Sequence, residues 1–223
     1  LIELHNEEII HNILLRNIPL LPLTTNEMVH NSTESKNWFH SLILSSNKDQ
    51  NELLPYLHDA QLSVYLSYQK TSEWKYEYYD GYEYVYEGEL LSYMFYRLET
   101  LLDNSEIVNS SITELFLKFI RLPHPSIYPY FLNTAQKFPS SFKTLKTCLI
   151  EISQKIVEQT DDISSFSEKM ELVKAQMTQP ANISKYYSNN SVPAEERQFI
   201  TNAIIFEEFC KELSALVHSK TTQ

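Results

Sequence analysis

The sequence predicts an all-α chain, its antiparallel helices stacked as an irregular α-solenoid-like bundle. Three observations lead there. Apolar residues recur at three- and four-residue spacing along most of the 223 residues, the period of one helix face. Only two glycines occur, Gly81 and Gly88, whereas tight β architectures and phosphate-cradling loops need more. The prolines fall at or near the edges of the periodic stretches, where helices start and stop. No repeat of fixed period is present, so the stack is expected to be irregular.

The longest element is the last. From Gln198 to His218, apolar residues stand at Phe199, Ala203, Phe206, Cys210, Leu213 and Val217, spaced 4-3-4-3-4, with a second line through Ile200, Ile204 or Ile205, Phe209 and Leu216. A helix apolar over so wide an arc must be covered by several other helices or by another chain. Pro193, Glu195 and Glu196 suit its first turn. Glu207 and Lys211 form an i,i+4 pair in the favourable order and are expected on the exposed side.

Four regions are expected: an N-terminal helix over 1–23 that continues an upstream region, a polar mobile connector over 24–51, a helical domain over 52–218, and a tail over 219–223. Because it begins at Leu1, the chain is expected to be a piece of something longer. Within the connector, Trp38, Phe39, Leu42, Ile43 and Leu44 make an apolar island that fits one short helix. The helix from about Glu52 to Gln69 is given an inner stripe of Leu54, Leu57, Gln61, Val64 or Tyr65, and Tyr68. Residues 74–87 combine seven aromatic residues with Asp80-Gly81, a strong hairpin signal; a tyrosine-rich surface loop and a contact surface compete with that reading. Helices follow over Glu89–Asp103 and Glu106–Leu122, and a short one carries Ile127, Tyr128, Phe131 and Leu132. The next is capped at Ser140 or Ser141 with the stripe Phe142, Leu145, Leu149, Ile152 and Ile156, and another spans Phe166–Met177 with Met170, Val173 and Met177 inward.

Composition narrows the function. A net charge of −11 disfavours nucleic acid and direct docking on anionic lipid, both of which want clustered Lys and Arg. No run reaches the roughly 18 apolar residues of a membrane span, and the segment Ile13–Leu23, broken by Arg16, Pro19 and Pro22, does not fit a secretory signal. Cys148 and Cys210 lie on apolar helix faces and read as reduced, packed thiols. A thiol nucleophile at Cys210 would need His218 or His124 as its base, yet His218 is about 12 Å further along the same helix. No zinc, phosphate-loop or serine-hydrolase motif occurs, and neither a cofactor nor a metal is expected. His58 reads as a surface or packing histidine. The N-glycosylation patterns at Asn31, Asn109, Asn182 and Asn189 read as chance matches in an Asn- and Ser-rich chain.

Two stretches resemble the FTS- and Hook-interacting proteins. The first runs from Leu98-Glu-Thr-Leu-Leu-Asp-Asn through Val108-Asn109 and Thr113 to Leu122-Pro123-His124-Pro125 and Tyr130-Phe-Leu132. The second is Glu207-Glu-Phe-Cys-Lys-Glu-Leu-Ser-Ala215, similar to that family's C-terminal Lys-Glu-Leu-Ala-Ala motif with Ser214 for its first alanine. Glu114 stands where the family pattern leads one to expect glycine. The resemblance covers roughly 53–217 and implies a non-catalytic cytoplasmic adaptor, peripheral to endosomes. Its implied partners are a Hook coiled-coil protein, FTS (an inactive ubiquitin-conjugating-enzyme-like protein) and an early-endosomal Rab GTPase, in an assembly linking early endosomes to dynein and dynactin. In the motifs, Phe206, Phe209, Cys210, Leu213 and Leu216 read as core, with Asn109, Pro123, His124 and Pro125 as structural marks. Glu207, Glu208, Lys211 and Glu212 are left as the polar positions to face a partner. Two other readings compete: a purely structural cap closing an upstream solenoid, and a small thiol-dependent hydrolase.

Overall fold

The computed structural model describes residues 32–43, 53–71, 88–123, 127–132, 143–178 and 192–221. Among them the chain forms α1 (Ser32–Ser41), α2 (Leu54–Thr71), α3 (Gly88–Glu99), α4 (Glu106–Arg121), a π-helical turn (Tyr128–Leu132), α5 (Leu145–Thr160), α6 (Phe166–Thr178) and α7 (Ala194–Thr221). The described residues contain helices and turns but no strand, so the fold is an all-helical bundle. The expected hairpin over 74–87, the N-terminal helix over 1–23 and most of the connector lie outside them. Residues 32–43 lie inside. There the described part of the apolar island forms the end of α1 and the turn after it, with Phe39 and Ile43 buried, so this part of the expected connector is packed structure.

The bundle is organised around α7. This helix has 28 residues, about 42 Å at 1.5 Å per residue. It packs against α1, α2, α4 and α6, helices drawn from the whole length of the chain. On its other side α4 also packs against α3, which in turn meets α5, and the π-helical turn rests on α5. The arc read from the sequence is therefore covered from several directions: Phe199, Ala203, Phe206, Cys210, Leu213 and Val217 are buried, and so are Ile200, Ile204, Phe209 and Leu216. At the α3–α4–α7 junction the rings of Phe95, Phe116, Phe131 and Phe209 meet, with Phe95 and Phe116 centroids 5.3 Å apart and Phe116 and Phe209 6.2 Å apart. Tilted and edge contacts of this kind are the preferred aromatic geometry.

Local signals account for the ends. Ser105, in extended conformation, precedes α4, whose first turn carries Glu106 and whose last carries Lys118 and Arg121, the arrangement its dipole favours. The N-cap of α5 is Thr144, not the serines at 140 and 141: Thr144 and Thr147 form a reciprocal capping box. Of the stripe expected for α5, Leu145, Leu149, Ile152 and Ile156 are buried with Cys148 beside them, and Phe142 lies outside the described residues. In α6, Met170 and Val173 are inward but Met177 is 39% exposed.

The expected stripe of α2 is rotated by roughly 60–80° at 100° per residue: of its members Val64 is buried and Leu57 partly so. Ala60, Val64 and Thr71 face the core, with Leu53 just before the helix and Tyr56 and Leu57 partly buried against it. Leu54, Tyr65 and Tyr68, assigned inward, are exposed, as are Gln61, Leu62 and Leu66. The helix is apolar on two sides, so periodicity alone gave two solutions. The buried side is lined by smaller residues, which α7 approaches closely.

Candidate functional site on the central helix

Of Glu207, Glu208, Lys211 and Glu212, the polar positions of the last helix expected to face outward, two do not. The Glu207 side chain is 0% exposed and that of Lys211 9% exposed. Both stand on α7 where α2 and α6 close over it. Glu207 Oε1 accepts from Lys211 Nζ at 2.9 Å and from Lys174 Nζ of α6 at 3.2 Å. Lys211 also donates to Glu208 Oε1 at 2.9 Å, and the Tyr56 hydroxyl of α2 donates to the other Glu208 oxygen. The ammonium of Lys211 lies 5.9 Å from the Tyr56 ring centroid, within cation–π reach. Burial alone would pull the Lys211 amine down, but its bonds to Glu207 and Glu208 win and hold it above its ordinary range. Burial, then the bond to Glu208, pushes the Tyr56 phenol up.

A sealed charge cluster of this kind gives little net stability, because desolvation offsets most of the attraction, but it penalises any packing that separates its members. Here it fixes α2 and α6 against α7. Glu207 and Lys211 are thus internal ties, which corrects their assignment to a partner surface. Glu208 and Glu212 remain at the edge, with side chains 39% and 37% exposed. Glu212 Oε2 accepts from the Arg121 guanidinium of α4 at 3.3 Å. Its carboxyl is nevertheless raised, chiefly by burial against the pull of Arg121, with Glu208, Asp59 and Glu114 adding to the rise.

A second buried polar cluster joins α7 to the α3–α4 turn. Asn109 donates to the Leu101 carbonyl at 2.7 Å and to Asn202 Oδ1 at 2.8 Å. Asn202 donates to the carbonyls of Leu102 and Asn104 at 2.9 and 3.0 Å. Asn104 donates to Asn109 Oδ1 at 3.1 Å and to the Arg97 carbonyl at 2.8 Å. Three asparagine side chains thereby satisfy one another and the carbonyls released where α3 ends. Asn109 is identified from the sequence as a structural mark, and its buried amide is fully engaged, so it offers no glycan acceptor. Asn202 is a residue that sequence reasoning missed. The available signal is its position: a polar amide within the helix that is apolar over so wide an arc must be buried with partners.

The remaining motif residues are placed as expected where they are described. Phe206, Phe209, Cys210, Leu213 and Leu216 are all buried. Pro123 follows α4 and is partly buried; His124 and Pro125 lie outside the described residues. Glu114 is exposed and pairs with Lys118 at 2.8 Å, so its departure from the family pattern falls on the solvent side of α4. Cys148 and Cys210 are unoxidised and buried. Burial, reinforced by the Glu207 charge, pushes the Cys210 thiol well above its usual range, the reverse of what a nucleophile needs. Lys220, near the end of α7, reaches back to α4 and donates to the Leu122 carbonyl at 2.6 Å, so a cation sits where the α4 dipole favours one. Burial pulls its amine down to about 7.

Residues 87–180 match the model of a family of unknown function, DUF5917, and residues 194–221 match the KELAA motif. The first match takes in α3 to α6. The second has the same bounds as α7. The charged side chains on that helix tie it to its neighbours: Glu207 bonds Lys174 of α6, Glu208 bonds Tyr56 of α2, and Glu212 bonds Arg121 of α4. No helix among the described residues is long and apolar enough to cross a membrane.

Proposed function

We propose that this chain is the C-terminal part of a non-catalytic adaptor of the FTS- and Hook-interacting type, a scaffold through which early endosomes are linked to dynein and dynactin. The observation that carries the reading is the KELAA match, which falls on the helix against which α1, α2, α4 and α6 pack. That helix holds the Lys211-Glu-Leu-Ser-Ala215 sequence on which the resemblance rests. The partners of the reading are a Hook coiled-coil protein and FTS, with a Rab GTPase on the endosome, and the location is cytoplasmic and peripheral to endosomes. A pull-down of the chain with a Hook C-terminal region and FTS tests it. Capture of both is the expected result, and failure of both this chain and a longer form to capture either overturns it.

The burial of Glu207 and Lys211 favours a second reading, a structural cap, because it spends the motif's central charges inside the fold. On that reading the chain alone captures neither partner while a longer form does, and variants of α7 act only through stability.

A further inference from the structure

We propose that the face of α7 covered by α1 is a docking site for a helix of a protein partner, and that α1 is its built-in occupant, displaced when the partner binds. The inference rests on the adaptor reading only in taking the partner to be a protein.

The observation is the way α1 is held. It has ten residues and packs chiefly against α7. Isolated helices shorter than about 12–15 residues are marginal in water, so α1 owes its form largely to that neighbour. One face is laid down: Ser35 and Phe39 are fully buried and Ile43, just past the helix, nearly so, with Trp38 and Leu42 partly buried beside them. Glu34, Asn37 and Ser41 are exposed. An amphipathic peptide helix seats in a groove in the same manner, through anchors one turn apart. The polar ties to α7 made through Lys36 are long. Ser214 Oγ donates to the Lys36 carbonyl at 3.4 Å, and Lys36 Nζ meets His218 Nδ1 at 3.5 Å. Bonds of that length hold weakly. An element held mainly by one neighbour is the kind that opens before the rest of a fold.

The helix already seated there states what the site accepts. It lies over the turn of α7 that holds Ser214 and His218, at the end of the Lys211-Glu-Leu-Ser-Ala215 sequence. Small, fully buried residues stand on both helices, Ser35 on α1 and Ser214 and Ala215 on α7. The axes approach closely enough for a serine hydroxyl of one to reach a backbone carbonyl of the other. A partner helix that fits must therefore carry a small residue, an aromatic four positions on and an aliphatic four beyond that, as Ser35, Phe39 and Ile43 do. An aromatic beside them, at the place of Trp38, completes the match. The Trp38 ring meets Phe39 edge-on at 5.0 Å and lies 5.7 Å from Lys146 Nζ of α5, a cation–π contact that an incoming ring would inherit. Release of α1 does not require the bundle to open, because its chain continues to α2 through nine residues, 44–52, of which eight are polar. Tethering sets the threshold: a linked occupant acts at an effective concentration in the millimolar range, so only a partner that binds more tightly than α1 itself takes the site.

The test uses the full chain, its double variant Phe39→Ser with Ile43→Ser, and a labelled peptide of residues 32–43. In the wild type the tethered α1 competes with the peptide; in the double variant it no longer does. Fluorescence anisotropy should therefore show the peptide binding the double variant roughly tenfold or more tighter than the wild type. A peptide that itself carries Phe39→Ser should lose that binding. In wild-type hydrogen exchange, the amides of α1 should exchange faster than those of α4 and the centre of α7, by roughly tenfold or more. Equal binding to the two chains, no binding to either, or binding indifferent to the change in the peptide overturns the proposal, as does exchange of α1 in step with α4 and α7. A double variant that no longer melts cooperatively also overturns it, since α1 is then part of the core and not an occupant. So does a wild-type dimer in sedimentation that the double variant dissociates, which would give the site to a second copy. The assay contains neither Hook nor FTS, so its failure leaves the pull-down result standing, and the reverse also holds.

Discussion

The two long helices α7 and α2 make opposite use of similar composition. Both are apolar around more than half of their circumference. Helix α7 meets four other helices, and from Phe199 to Val217 every residue except Glu208 and Glu212 is buried. Helix α2 meets α7 and, less extensively, α4, and within it only Ala60, Val64 and Thr71 are buried. Apolar width states that a helix has to be covered; the number of neighbours available decides whether the chain itself does the covering. On α7 the consequence is that charged and amide groups are internal and must be paired. On α2 it is that large apolar side chains stay in water, where they add nothing to the stability of the bundle.

The largest effect that would break this contrast is on α7. Leu213 is 0% exposed, and Leu213→Asp places an unpaired carboxylate in the core. The expected loss exceeds roughly 4 kcal/mol, enough to leave the chain largely unfolded by circular dichroism. If its melting temperature hardly moves, α7 is not the packed centre of the bundle.

Next comes the charge cluster. Lys211→Met leaves Glu207, 0% exposed, with Lys174 as its remaining cation and should cost on the order of 3 kcal/mol. Adding Glu207→Leu should recover much of that loss, since a buried ion pair and an apolar pair of similar volume differ little. Chemical denaturation of the single and double variants measures the coupling. Additive losses would mean that the two side chains do not act as one unit.

A smaller loss, about 2 kcal/mol, is expected of Asn202→Ala, which leaves the Leu102 and Asn104 carbonyls and the Asn109 amide short of a partner. Asn109→Ala should lose a similar amount, and the double variant less than the sum. Equal and additive losses in thermal melts would argue against a shared cluster.

These residues also mark where the sequence is legible. The helices and the core of α4, α5 and α7 follow from period and proline placement, because each of those elements buries large residues on one consistent line. Glu207 and Lys211 do not, because an i,i+4 ion pair looks the same on a solvated face and in a sealed one. What seals it is Lys174, 33 residues earlier in the chain on another helix. Asn202 is invisible to periodicity for the same reason, its partners being about 100 residues away. On α2 the large exposed Leu54, Tyr65 and Tyr68 outweigh Ala60 and Thr71 in any hydrophobic pattern, so the expected stripe includes Val64 and Leu57 but is rotated away from the buried line. Local pattern fixes elements; pairing across the chain decides which polar groups are inside.

Lys220 carries a pH dependence whose sign can be worked out. In the fold its amine titrates near 7, against an ordinary value of 10.5. Below 7 both states hold the proton and the fold bears the cost of an enclosed ammonium. Between about 7 and 10 the unfolded chain binds more protons than the folded one, so stability should rise with pH. Discounting for the partial exposure of the residue, the gain is on the order of 1–2 kcal/mol. Denaturation midpoints at several pH values between 7 and 9.5 measure it, and Lys220→Met should flatten the difference. A wild-type profile that already runs parallel to that of the variant means that Lys220 keeps its proton throughout.

The smallest effect belongs to α2, and its smallness is what makes it informative. Leu66→Ser on a side chain 43% exposed should shift stability by less than about 0.5 kcal/mol, within the range of ordinary surface substitutions. Val64→Ser, two residues away and 3% exposed, should cost several times more. The pair of melting curves reads the rotation of α2 directly. A reversed order would return Leu54, Tyr65 and Tyr68 to the core.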